Sequence, residues 1–307
     1  MIDRFGRPTT GLRISVTQRC NLNCFFCHRE WNIPQDKEVS RDEIRRVVEM
    51  GKNFGIEEVK ITGGEPLVRQ DIVDVVKDVS AIVDVVSLTT NGILLETLAK
   101  DMKEAGLRRV NVNLPSLVQK KYQRICGADL LAQALGGIGA AVRFGLMPVK
   151  INMVLLRNTN ENEVGDIIDF GASLGATVQL IEMQPLPSNA ALFESYHADM
   201  DPIEAMISRK FKEAIRSDDT RRRKYVISSN GCSASIEVVR PLTNPEFCKG
   251  CTRMRVTSDG RLKPCLLRND NLVDFVGLLR ANATQETLAR SYVEAVRRRE
   301  PYWGVKH

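Results

Sequence analysis

A chain of 307 residues that is 43% hydrophobic is long enough for one large α/β domain with an appendage, and apolar enough to bury a sizeable core. No apolar run approaches the ~20 residues that span a bilayer, and Met1-Ile2-Asp3-Arg4-Phe5-Gly6 has no apolar secretion-signal core, so a cytoplasmic location without a membrane partner is expected. The formal net charge of +6 favours an anionic ligand, but Arg221-Arg222-Arg223-Lys224 and Arg297-Arg298-Arg299 lack interleaved aromatics and read as solvated faces, not as a nucleic-acid surface.

Apolar, β-branched runs predict strands near Leu12–Val16, Glu58–Ile61, Val83–Leu88, Arg109–Leu114, Val149–Leu155 and Thr177–Ile181. Amphipathic stretches lie between them. Ser40-Arg41-Asp42-Glu43 has the form of a capping box for the first helix, and Glu96–Glu104 and Glu163–Leu174 have helical spacing. Six βα units predict a parallel sheet, either closed partly into a barrel or doubly wound. Beyond about residue 185 the rhythm stops. Ser188–Asp201 reads as a connection, Pro202–Ser217 as a helix, and Val256–Leu262 as a hairpin turning at Asp259-Gly260.

Six of the eight cysteines form two triplets: Cys20, Cys24 and Cys27 as C-x3-C-x2-C, and Cys248, Cys251 and Cys265 as C-x2-C-x13-C. In a large chain without a secretion signal such patterns bind metals more often than they form disulfides. Three thiolates can hold a [4Fe–4S] cluster and leave its fourth iron for a small molecule. The alternative at the first triplet is a structural zinc site completed by His28; at the second it is a zinc knuckle or a cluster used only for stability. Cys126 and Cys232 read as small buried thiols.

Other candidates fall at the C-terminal ends of the predicted strands, where barrel chemistry gathers. They are Gly63-Gly64-Glu65 after the second, Thr89-Thr90-Asn91 after the third, Asn113 closing the fourth and Glu182 to Gln184 after the sixth. Lys150 lies early in the fifth strand and reaches the site only by pointing inward, which demands an anionic partner. Arg253 and Arg255 project to one side of a strand, and guanidinium forks suit phosphate oxygens.

The first triplet with Ile61-Thr62-Gly63-Gly64-Glu65-Pro66 resembles the radical S-adenosylmethionine (SAM) superfamily. Leu12–Thr17, Leu88–Gly92, Gly106–Val112 and the second triplet with Thr252-Arg253-Met254-Arg255 narrow the resemblance, over nearly the whole chain, to the GTP 3′,8-cyclase family of molybdenum cofactor biosynthesis. The resemblance implies a partial (β/α)6 TIM-like barrel over residues 1–225 and an auxiliary-cluster, GTP-binding region over residues 226–307. It implies SAM, two [4Fe–4S] clusters, GTP as substrate, an electron donor, product transfer to cyclic pyranopterin monophosphate synthase, and room for a homodimer. Cys20, Cys24 and Cys27 would hold the SAM cluster and Cys248, Cys251 and Cys265 the GTP cluster. Phe26, Gly63, Gly64, Glu65 and Asn113 would contact SAM; Arg13, Lys60, Thr89, Lys150, Arg253 and Arg255 would contact GTP, the last two also promoting the reaction.

The chain departs from the family pattern in four places. Lys60 stands where arginine is frequent, Asn113 replaces a serine, Gln184 aligns with a methionine so that Met183 competes for the adenine, and Glu300–His307 lacks a terminal Gly-Gly. The competing readings are a peptide-modifying radical SAM enzyme and a non-catalytic iron–sulfur or zinc regulator.

Overall fold

The computed structural model describes residues 1–27, 37–185, 190–217, 222–229, 232–242 and 244–302. His28, Ser188 and the tail from residue 303 lie outside the described residues, as does the side chain of Cys232.

All six expected strands form within two residues of their predicted limits: β1 (Gly11–Ser15), β2 (Glu58–Thr62), β3 (Val85–Thr90), β4 (Arg109–Asn113), β5 (Lys150–Leu155) and β6 (Thr177–Glu182). They pair in parallel in chain order, so their C-terminal ends share one rim. The intervening helices α1 (Arg41–Asn53), α2 (Ile72–Ser80), α3 (Leu95–Glu104), α4 (Gln119–Cys126), α5 (Leu131–Arg143) and α6 (Val164–Ser173) cover the outside. Their apolar stripes, such as Ile44, Val47 and Val48 of α1 and Val75, Val76 and Val79 of α2, pack on outward strand residues such as Ile14, Val59, Ile61 and Val86 to form the core. This is the partial barrel implied by the resemblance.

The chain beyond β6 forms α7 (Ala190–Tyr196), α8 (Met200–Lys210), β7 (Lys212–Ser217), β8 (Arg222–Ser229), β9 (Cys232–Val239), α9 (Pro245–Lys249), β10 (Arg253–Val256), β11 (Arg261–Lys263), β12 (Val273–Asp274), α10 (Val276–Arg280) and α11 (Gln285–Arg297). These strands extend the same sheet, in the order β12-β11-β10-β1-β2-β3-β4-β5-β6-β9-β8-β7. β10 is parallel to β1 and β9 is parallel to β6, so eight consecutive strands run one way.

Two expectations are corrected. The helix predicted to Ser217 ends at Lys210; Phe211 is extended (φ −126°, ψ 147°) and the backbone then pairs with β8, whose ladder satisfies the peptide groups better than an isolated helical turn. The connection predicted over Ser188–Asp201 contains α7. The Asp259-Gly260 hairpin forms as expected between β10 and β11, with Gly260 at φ +90°.

The capping box is complete. Ser40 Oγ accepts from Glu43 N at 3.2 Å, and Ser40 N donates to Glu43 Oε2 at 2.8 Å. Ser40→Ala should cost about 1 kcal/mol, read as a lower urea midpoint at unchanged slope.

Candidate active site

Inward side chains of the eight parallel strands line a cavity of about 1120 Å³. Alternation explains its character. Ile14, Val59, Ile61 and Val110 face the helices, whereas Arg13, Lys60, Asn111, Lys150, Gln179, Glu237, Arg253 and Arg255 face inward. A filled (β/α)8 barrel carries bulky apolar residues inside; this one carries charge. The volume lies just above the usual range for a small-ligand pocket, roughly 300–1,000 Å³.

The two cysteine triplets stand toward opposite ends of this cavity. The first follows the C-terminal end of β1. Cys248 and Cys251 precede β10, whose start pairs with the start of β1 through Gly11 opposite Arg253, and the hairpin returns Cys265 to the same end. The second triplet is therefore not on the rim that collects the other candidates. A five-residue strand separates the ends by roughly 17 Å.

The first cysteine loop is anchored by α4: Asn23 N donates to Cys126 O at 3.0 Å and Phe25 N to Ile125 O at 3.1 Å. Cys126 is buried as expected, but it also meets the Cys24 thiol; that hydrogen bond and burial push the Cys24 pKa up. The Gly63-Gly64 turn anchors the same loop from β2. Gly64 N donates to Thr17 O and Glu65 N to Arg19 O, both at 2.8 Å. A Cβ on Gly64 would meet Arg19 O at 2.3 Å, so this glycine is demanded by backbone packed on backbone, not only by access to a ligand.

Glu65 is 1% exposed. Its Oε1 accepts from Thr90 Oγ1 at 2.7 Å and Leu67 N at 3.0 Å, and its Oε2 accepts from Asn91 N at 2.7 Å. Burial raises its pKa to about 7 against the lowering effect of these donors. Thr90 and Asn91 thus act through Glu65, while Asn91 Nδ2 also donates to Asn21 Oδ1 at 2.7 Å, within the cysteine loop.

Positive charge dominates the middle of the cavity. Burial and the neighbouring charges of Arg13, Arg253, Arg109 and Lys150 pull the Lys60 pKa well below that of a free lysine; its Nζ donates to Asn111 Oδ1 at 3.2 Å. Burial and Arg222 draw Arg253 down to about 9. Inward Lys150 has the anionic partner that its position required: Nζ lies 2.6 Å from Glu237 Oε1. Arg222 Nη1 is 3.2 Å from Glu237 Oε2. Burial disfavours the Glu237 charge, but Lys150 and Arg222 outweigh it and hold its pKa down to about 2. Thr89 lines the wall with a buried Oγ1 that makes no hydrogen bond among the described residues. Asn113 Oδ1 accepts from Asn152 Nδ2 at 3.0 Å, and Phe26, Met183 and Gln184 line the cavity near the first triplet.

Arg222 and Glu237 escaped the sequence reading. Arg222 belongs to a run expected on a solvated face, which the structure corrects, since β8 beside β9 brings it to the wall. For Glu237 the available signal is the alternation of Ser235 and Glu237 with Ile236 and Val238.

The donor sets suit iron–sulfur clusters by chemistry. None of the seven described cysteines is in a disulfide, and each triplet lines the cavity. Burial opposes ionisation of Cys251, but Arg253 and Arg255 outweigh it and hold its thiol below the usual range, as a thiolate ligand needs. Among the described residues no three His, Cys, Asp or Glu side chains converge to metal-binding distance.

A partly closed barrel with a C-x3-C-x2-C loop after its first strand and a buried Gly-Gly-Glu turn after its second defines a radical SAM protein. The Radical SAM superfamily model matches residues 14–171, and the Molybdenum Cofactor Synthesis C model matches residues 176–305. The chain is 44% identical to a probable GTP 3′,8-cyclase of Pyrococcus abyssi and 45% identical to one of Thermococcus kodakarensis, each over 99% of both chains. A relative of the same name from Methanocaldococcus jannaschii is 41% identical over 100% of both. Among solved structures, Streptococcus suis SuiB bound to S-adenosylmethionine superposes with a TM-score of 0.66 at 17% identity, covering 92% of this chain and 67% of that one, a likeness of fold. The chain belongs to the radical SAM superfamily and, within it, to the family of these probable GTP 3′,8-cyclases.

The raised pKa of Glu65 fixes a pH dependence. Protonated Glu65 favours the folded state below about pH 4.5, and this contribution is lost as pH rises through about 7. Thermal melts of cluster-free protein should show this loss between those limits, and Glu65→Gln should remove it.

Proposed function

We propose that the chain is a GTP 3′,8-cyclase, converting GTP to 3′,8-cyclo-7,8-dihydro-GTP in the first step of molybdenum cofactor biosynthesis. The observation that carries this reading is the meeting of two cysteine triplets and a buried excess of positive charge in one cavity. Cys20, Cys24 and Cys27 would hold one [4Fe–4S] cluster and Cys248, Cys251 and Cys265 a second, and these groups with SAM would supply the one-electron and radical chemistry that protein side chains cannot.

The side chains supply binding, orientation and electrostatics. Ionised Glu65 pairs with SAM's ammonium, with Gly63, Gly64, Phe26 and Asn113 completing that end. Arg13, Lys60, Lys150, Arg253 and Arg255 take the nucleotide's phosphates, and Thr89 Oγ1 has a hydrogen bond to give. Arg253 and Arg255, close to Cys251, stabilise charge that develops on the substrate as the ring closes. Both ligands occupy one cavity, which holds the reacting carbon and hydrogen together and limits competing reactions with water.

A peptide-modifying enzyme does not account for so many inward cations, and the likeness to SuiB concerns fold alone. The reading also includes a cytoplasmic location, an external electron donor, a homodimer, and delivery of product to cyclic pyranopterin monophosphate synthase. Among the described residues no single helix is long and apolar enough to cross a membrane. Residues 1–225 would carry the SAM chemistry and residues 226–307 the second cluster and much of the GTP contact, although β8 crosses that boundary and the sheet is continuous.

The test is anaerobic. The reconstituted protein is given SAM and a strong reductant, and 5′-deoxyadenosine is quantified. Stimulation by GTP but not ATP, with cyclised product, is expected; equal 5′-deoxyadenosine without GTP would remove GTP as substrate.

Nucleotide binding should also take up a proton. A triphosphate beside Lys60 restores the charge that burial and its cationic neighbours disfavour. Calorimetry in buffers of different ionisation enthalpy should give positive uptake that Lys60→Gln reduces.

A further inference from the structure

Arg299 was expected on a solvated face with Arg297 and Arg298, yet it is completely buried. It sits just past α11 and reaches the other end of the chain. Its Nη1 donates to Arg7 O at 3.2 Å, to Pro8 O at 3.3 Å and to Thr9 Oγ1, and lies 3.3 Å from Asp3 Oδ2. Its Nη2 donates to Cys251 O. Arg7, 6% exposed, pairs with the same carboxylate, Nε to Asp3 Oδ2 at 2.8 Å, and sends Nη1 to Cys248 O at 3.1 Å. Asp3 Oδ1 accepts from Phe5 N and Arg7 N at 2.9 and 3.0 Å. Two buried guanidiniums around one buried carboxylate thus each grip the carbonyl of a cysteine in the second triplet.

We propose that Asp3, Arg7 and Arg299 form a clamp that positions the Cys248–Cys251 loop for its cluster. The inference rests on the reading of Cys248, Cys251 and Cys265 as cluster ligands. A clamp serving only to tie the chain ends together would not need to end on those two carbonyls. The segment after Arg7 adds to the hold: Thr10 N and Gly11 N donate to Thr252 O at 3.1 and 3.2 Å, fixing the start of β10 and so the directions of Arg253 and Arg255. Two charged donors on one carboxylate leave each guanidinium with donors to spare for a carbonyl, a geometry that lysine cannot reproduce. These are positioning residues, acting on the ligands and not on the substrate.

The test uses full-length protein in which Cys20, Cys24 and Cys27 are changed to alanine, so that only the second triplet can load. After anaerobic reconstitution, iron retained against a chelator and the paramagnetic resonance spectrum of the reduced cluster are compared with and without Arg299→Gln. The expected result is a roughly tenfold or greater loss of retention, the scale seen when groups that orient metal ligands are removed, with an altered spectrum in whatever cluster remains. In the chain with all cysteines, Arg299→Gln should lose about half of the bound iron, one of two four-iron clusters, while SAM still perturbs the spectrum of the first.

Unchanged retention and spectrum in a folded Arg299→Gln protein overturns the clamp, as does a lowered melting temperature with an unchanged spectrum. If Arg299→Gln fails to fold, Arg299→Lys decides by the same readouts. If the triple-alanine parent loads no iron, the reading of the second triplet as ligands falls, and the clamp with it; if parent and variant load equally, only the clamp falls.

Discussion

Every second residue of eight neighbouring parallel strands points into the barrel, and on this face the chain places arginine, lysine and amides among a few apolar residues such as Val154 and Ile181. The rest of the structure follows from that constraint. Like charges held together away from water are unfavourable, which is seen in the depressed pKa values of Lys60 and Arg253. The outside bears the compensating stability: valines, isoleucines and leucines of the strands lie under the apolar stripes of six helices. Glu237 relieves only the part of the cavity near Lys150 and Arg222. A polyanion bound there would offset the repulsion among these cations.

A second theme is that the site's loops hold one another. The first cysteine loop rests on the carbonyls ending α4 and on the Gly63-Gly64 turn, and Glu65 in that turn is held by Thr90 and Asn91 at the end of β3. Three successive βα loops form one hydrogen-bonded rim. At the other end, the chain's first and last described segments play the corresponding part around Cys248 and Cys251. Each set of thiols thus sits on a framework held by backbone hydrogen bonds.

The legible parts of this molecule are those set by short-range pattern. The six strands, the Ser40–Glu43 capping box and the Asp259-Gly260 hairpin come from residues a few positions apart. The cysteine spacings and the Gly-Gly-Glu turn are likewise local, and they located both ends of the cavity. What escaped depends on distant pairing. Arg222 and Arg299 look alike in sequence, as members of basic runs, but β8 turns one into the cavity wall and α11 drives the other into the protein between Asp3 and Cys251. The misplaced end of α8 has the same origin, because residues compatible with a helix became a strand once β8 was available as a partner.

The position of β1 carries a consequence for the growing polypeptide. This strand lies between β2 and β10, partners that are synthesised early and very late. Until Arg253–Val256 has left the ribosome, β1 presents a bare row of amides and carbonyls, a template for unwanted pairing with another chain. A transcript cut short before this point would leave the strand leading to the first cysteine loop with an open flank. Its six βα units would be present and still not form a finished edge.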